Sequence, residues 1–208
     1  ELITNSSVNR YLAHFSTFLT YCTLEYEIIP SNPMIGAKLK LKENKPRKRW
    51  LKRLEERKSI LSKCLEYSYK LYVCAFIGLI AGTRKFETLN LTWSNVDLEN
   101  KAMYILDTKN KLDRTIPIPD ILFKELQKYK EKCVSKGNRY DYLFANEEGK
   151  PQESLIGNTF LKKVVPNWEY EPMDFHAFRH TYISIGSLLG YNQSIIKKIV
   201  GHKSKNVT

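Results

Sequence analysis

Two short segments place cations where the start of a helix would ordinarily repel them. Thr83-Arg84-Lys85 follows Gly82 at the end of an apolar run, and Asp174-Phe175-His176-Ala177-Phe178-Arg179-His180 opens a second predicted helix. A helix N-terminus carries roughly half a positive charge, so arginine there is mildly unfavourable unless an anion is bound. A phosphate would satisfy both the free amide groups and the guanidiniums. His176 and Arg179, three residues apart, share a helix face. The competing reading is local pairing, Arg84 with Glu87 and Arg179 with Asp174, of the weak kind common on surfaces. Two such segments in one basic chain favour a phosphate clamp. His176 and His180 also have i, i+4 metal spacing, but Ala177 stands where a zinc protease needs Glu. No other ligand cluster is evident, so no metal or other cofactor is expected.

A third charged feature is the stretch holding Lys38, Lys40, Lys42, Lys45, Arg47, Lys48 and Arg49, seven cations against the single acid Glu43. It reads as a linker, either a solvated spacer or a strap along a phosphate backbone.

The elements that must position these residues follow from periodicity. Val8, Leu12, Phe15, Leu19 and Cys22 recur at helical spacing and predict a helix over about 7–27, with Asn5, Ser6 or Ser7 as N-cap. Pro30-Ser31-Asn32-Pro33 ends it. A helical pattern from 51 to about 72 leads into the buried apolar run 73–81. Gly82 stops that run and Thr83 can cap the next helix. Two β-rich runs, 102–108 and 114–118, flank Lys109-Asn110-Lys111-Leu112-Asp113 and predict a hairpin with a polar tip. Further helices are predicted near 119–136, 153–164, 175–189 and 193–200. The class is mainly α with a small antiparallel β-sheet.

The 208 residues carry a formal net charge of +12, which favours an anionic partner, nucleic acid or membrane surface. A hydrophobic content of 42% is ample for a packed core. Cys22, Cys64, Cys74 and Cys133 are scattered with no C-x-x-C pair and read as free thiols in a reducing compartment. The run 73–81 is too short to span a membrane. A soluble, cytoplasmic protein is expected. With Glu1 in place of an initiator Met, the chain reads as part of a longer protein.

The charged segments also match a family pattern. Ala81-Gly82-Thr83-Arg84-Lys85-Phe86-Glu87, running on to Leu91-Thr92-Trp93-Ser94-Asn95-Val96-Asp97, resembles the first catalytic box of the tyrosine recombinases of phage-integrase and Xer type. His176-Ala177-Phe178-Arg179-His180-Thr181 resembles their H-x-x-R-H-T box, and Ile199-Val200-Gly201-His202-Lys203-Ser204 their L-G-H-x-S box. The hairpin from Thr108 to Pro117 resembles the loop that carries a catalytic lysine. Val8-Asn9-Arg10-Tyr11-Leu12 and Ser31-Asn32-Pro33 resemble the last helix of the core-binding domain. Four boxes in family order, over nearly the whole chain, make the resemblance specific.

The resemblance implies a division into residues 1–35 as the end of a helical core-binding domain, 36–50 as the basic linker, and 51–208 as a catalytic domain. It implies that Arg84 and Arg179 hold a scissile phosphate of double-stranded DNA and neutralise the transition state. His202 would add a hydrogen bond. Lys109 would protonate the leaving 5′-oxygen, and His176 would handle the proton of an attacking tyrosine. Lys111 is the rival to Lys109, which is preferred for its offset from Arg114 and Pro117. Glu87 would anchor the constellation. Metal ions would then be unnecessary. The family usually works as four protomers on two duplexes.

Some positions depart from the pattern. Thr83 and Lys85-Phe86 stand where family members often carry aliphatic or small residues. The family nucleophile lies shortly beyond the G-H-x-S box, yet six residues follow His202 and none is Tyr. Tyr182 and Tyr191 precede it, so the expected nucleophile lies beyond Thr208. Alternatives are a type IB topoisomerase, against which the core-binding-like helix speaks, and a non-catalytic DNA-binding regulator built on residues 175–200.

Overall fold

A computed structural model of the chain describes residues 3–43, 49–106, 113–137 and 140–201. The chain divides into two compact units, Glu1–Arg47 and Lys48–Thr208.

The first unit is built on helix α1, Asn5–Leu24. Its N-cap is Thr4, one residue ahead of the expected candidates; extended at that position, Thr4 accepts the Ser7 amide proton. Val8, Leu12 and Leu19 are half-buried and Cys22 is buried, whereas Phe15 of the same stripe is exposed. The segment after the prolines turns back along α1. Buried Asn32 donates its amide to the Ser16 carbonyl and the Thr20 hydroxyl. Asn9 exchanges two hydrogen bonds with the Leu41 backbone, and Asn5 donates to the Lys42 carbonyl. The basic stretch is thus fastened to α1 as far as Glu43, with Lys38, Lys40 and Lys42 exposed.

In the second unit the single helix expected from 51 onward is two. Helix α2, Leu54–Tyr67, ends at Ser68, whose backbone is extended (φ −166°, ψ 144°), and α3, Tyr69–Ala81, begins directly after it. The Ser68 hydroxyl accepts from the Leu71 amide and caps α3. Apolar periodicity runs across this break because both helices face the same core, so the hydroxyl that makes the cap is its only local sign. Leu71, Val73, Cys74, Ala75 and Ile77 are fully buried. Helix α3 is the central element and packs against α2, α5 (Asp120–Ser135) and α6 (His176–Leu188). It ends at Gly82 in the left-handed region (φ +64°), where a Cβ would stand 2.8 Å from the Tyr182 ring.

A three-stranded antiparallel sheet lies beyond the short helix α4, Lys85–Leu89. Its strands are β1 (Val96–Asp97), β2 (Ala102–Ile105) and β3 (Arg114–Pro117), in that order. The expected hairpin is the β2–β3 pair, with Ile105 opposite Arg114 and Ala102 opposite Pro117. β1, too short to stand out by pattern, pairs Val96 with Met103. Alternation puts Arg114 and Ile116 on the inward face of β3. The helix expected near 153–164 is a 3₁₀ turn, Glu153–Leu155, followed by a π-helical segment, Ile156–Val164. Helix α7, Gln193–Val200, closes the described chain and ends at Gly201. Cys22, Cys64 and Cys74 are buried free thiols, and burial pushes the Cys64 thiol up to about 12. Among the described residues, no helix is long and apolar enough to cross a membrane.

Candidate active site

Three arginines meet at the C-terminal end of α7, each from a different element. Arg84 enters from the start of α4, Arg114 from the inward face of β3, and Arg179 from the first turns of α6. The last carbonyls of a helix lack intrahelical partners and carry partial negative charge. Here the three consecutive ones are each taken by a different guanidinium. Arg114 Nε donates to the Ile199 carbonyl at 2.7 Å, Arg179 Nη2 to Val200, and Arg84 Nη2 to Gly201 at 2.9 Å. The second Arg179 fork nitrogen donates to the Gly82 carbonyl at 2.8 Å, so the ends of α3 and α7 are joined through one side chain.

Glu87 lies among the arginines as their carboxylate. Its Oε1 accepts from Arg84 Nη1 at 2.6 Å and from Arg114 Nη1 at 3.1 Å. Its Oε2 accepts from Arg114 Nη2 and from the Arg84 backbone N–H, both at 2.7 Å. Burial pushes the Glu87 carboxyl upward, but the hydrogen bonds from Arg114 and Arg84 outweigh it and hold the group below its usual range. Arg179 is only 1% exposed. Burial, reinforced by the neighbouring Arg84 and Arg114 charges and opposed by Glu87, brings its guanidinium down to about 10.

Of the two local pairings weighed from sequence, one is present and one is not. Arg84 does pair with Glu87. Arg179 instead turns inward to the two helix ends, while Asp174, just before α6, accepts from the Ala177 amide. Thr83 does not cap α4; its hydroxyl is buried at 2.6 Å from the Thr88 hydroxyl, and Arg84 occupies the capping position. His176 is exposed on the first turn of α6, with the His180 ring edge-to-face at 4.6 Å.

Arg84, Glu87 and Arg179 are therefore brought together. Lys109, Lys111 and His202 lie outside the described residues, as do Lys45, Arg47 and Lys48. Arg49 is engaged within its unit, 3.3 Å from Glu56 and 3.4 Å from Glu171, with its guanidinium over the Trp168 ring. Two hydrogen-bonding residues of this unit escape reasoning from sequence. Arg114 serves there only to set the register of the hairpin, although a cation at an inward strand position is the available sign. Thr181 is fully buried, accepts from the Leu51 amide at 2.8 Å and donates to the Ala177 carbonyl.

The sequence profile of the phage integrase family matches residues 49–208. The chain belongs to the phage integrase family. A shufflon-specific DNA recombinase of Escherichia coli is 30% identical over 210 residues, covering 99% of this chain and 50% of that protein. A probable integrase/recombinase of Acholeplasma phage L2 is 28% identical over 138 residues, covering 64% of this chain and 46% of that protein. This phage integrase family chain thus spans about half the length of these curated relatives. The integrase of the Tn1549 transposon, solved with circular-intermediate DNA, superposes with a TM-score of 0.77 over 97% of this chain and 73% of that one. At 19% identity, that likeness shows the fold, a mainly α architecture with a small antiparallel sheet.

Proposed function

We propose that the chain is the catalytic part of a tyrosine site-specific recombinase, which cleaves and rejoins double-stranded DNA through a 3′-phosphotyrosyl intermediate. The observation that carries this reading is the charge balance at the end of α7. Among the described residues, three guanidiniums surround a single carboxylate, and Arg179 is almost fully buried without one of its own. Burying cations in such excess is expensive unless an anion completes the site. A scissile phosphate is that anion, and family membership gives it a chemistry.

In this reading Arg84 and Arg179 bind the phosphate and neutralise charge that grows in the transition state, the part metal ions play in other phosphoryl-transfer enzymes. Lys109 is the general acid for the 5′-oxygen, His202 adds a hydrogen bond, and His176 manages the proton of the tyrosine. Glu87 orients Arg84. Residues 1–35 are the end of a core-binding domain, 36–50 a basic connection and 51–208 the catalytic domain. Lys38, Lys40, Lys42, Lys45, Arg47, Lys48 and Arg49 are candidates for phosphate-backbone contacts, and four protomers assemble on two duplexes.

The test uses the full-length gene product and a nicked duplex carrying the site that it selects from random-sequence DNA. The wild type should form a covalent adduct that survives denaturing electrophoresis. Arg179→Ala should bind the duplex yet form none. A wild type without an adduct, or Arg179→Ala reacting at the wild-type rate, would remove the proposal.

A further inference from the structure

We infer that Arg114, which the family boxes above leave without a role, is a positioning residue for strand cleavage. This rests on the recombinase reading and deepens it. Arg114 uses all three of its guanidinium nitrogens. Two bridge both oxygens of Glu87, and Nε takes the Ile199 carbonyl at 2.7 Å. Its side chain is only 5% exposed. It also packs against the residue that ends α7. Gly201 lies in the left-handed region (φ +64°), and a Cβ there would stand 3.0 Å from Arg114 Nη1 and 3.2 Å from Cζ. The guanidinium therefore packs directly on Gly201, the residue that precedes His202 in sequence.

One side chain thus ties a group of the proposed cleavage machinery to the helix end beside it. Through Glu87 it fixes the fork of Arg84, since the carboxylate that holds Arg84 Nη1 is itself held at both oxygens. Through Ile199 and Gly201 it also fastens the C-terminal end of α7. It also supplies charge. An isolated Arg84–Glu87 pair would be neutral, whereas Arg114 shares the carboxylate and leaves the Arg84 guanidinium with a net positive surrounding. Lysine can replace the charge but not the geometry, because a single ammonium cannot bridge Glu87 and reach Ile199 in a fixed fork.

The experiment uses the full-length gene product, measuring duplex affinity and single-turnover adduct formation separately. Arg114→Lys should keep the wild-type melting temperature to within a few degrees and bind within about threefold, yet cleave at least ~10-fold more slowly. Small displacements of catalytic groups cost up to about 100-fold in rate. Arg114→Ala should be slower still, and added guanidinium ion should restore part of its rate while leaving that of Arg114→Lys unchanged. A stability role alone predicts that rate and affinity fall together with melting temperature and that guanidinium restores nothing. That result, or Arg114→Lys cleaving within threefold of wild type, overturns the assignment. A wild type that forms no adduct overturns the recombinase reading and this role with it, whereas an active wild type with indifferent Arg114 variants overturns this role alone.

Discussion

Arg114 and Glu87 form a two-point ion pair, Nη1 to Oε1 at 3.1 Å and Nη2 to Oε2 at 2.7 Å, between side chains that are 5% and 9% exposed. The pair links β3 to α4, and the remaining Nε of the same arginine ties both to α7. A bidentate pair this far from water is costly to break one-sidedly, because the surviving charge stays buried.

Stability should therefore respond to acid through Glu87. Its carboxyl lies below the ordinary 4.5, so the unfolded chain takes up the proton first. The contribution of Glu87 is complete above pH 4.5 and is lost as pH falls through the lower folded value. Glu87→Gln should lower neutral-pH stability by about 3 kcal/mol or more. It should also flatten the stability profile below pH 4.5, measured by urea denaturation across pH. An unchanged acid limb would place the titrating group elsewhere.

Thr181→Val should cost about 1–3 kcal/mol, the usual penalty for a buried donor left without an acceptor, here the Leu51 amide. Urea denaturation gives the value, and hydrogen exchange at the Leu51 amide should accelerate. A change within 0.3 kcal/mol, roughly the additivity error of such measurements, would contradict the hydrogen bond.

Counterion release gives a signature for the basic stretch. If Lys38, Lys40 and Lys42 each neutralise a phosphate, replacing all three by Ala should weaken binding to any duplex and reduce the salt slope by about 0.9 for each phosphate no longer neutralised. Arg49→Ala is the structural counterpart. Paired with Glu56 and lying over Trp168, it should lower the melting temperature more than the salt slope. Equal slopes for the triple variant and wild type would make the stretch a spacer.

Lys109→Ala should keep duplex affinity and lose cleavage in the full-length gene product. A substrate with a bridging 5′-sulfur needs no proton on its leaving group, so it should rescue this variant. Arg179→Ala should not be rescued, since it lacks charge stabilisation rather than an acid. Lys111→Ala is the matched control, and rescue of neither lysine variant would remove the hairpin from acid catalysis.

The sequence by itself was enough for the helical periodicity, the β2–β3 hairpin, the Gly82 stop and the charged segments around Arg84 and Arg179, because each is written in residues near one another along the chain. Four short boxes in order were enough for the family. What lay beyond it were the relations across the fold. The break at Ser68 is invisible to apolar spacing, since α2 and α3 bury their stripes in one core. Whether Arg179 pairs with Asp174 or turns inward depends on where Gly82 and Val200 end, 97 and 21 residues away. Arg114 is a mere hairpin flank until β3 places it beside Ile116 on the inward face, against Glu87 from 27 residues earlier. A guanidinium chooses partners by distance and burial, and those are set only when the helix ends and the strand have packed.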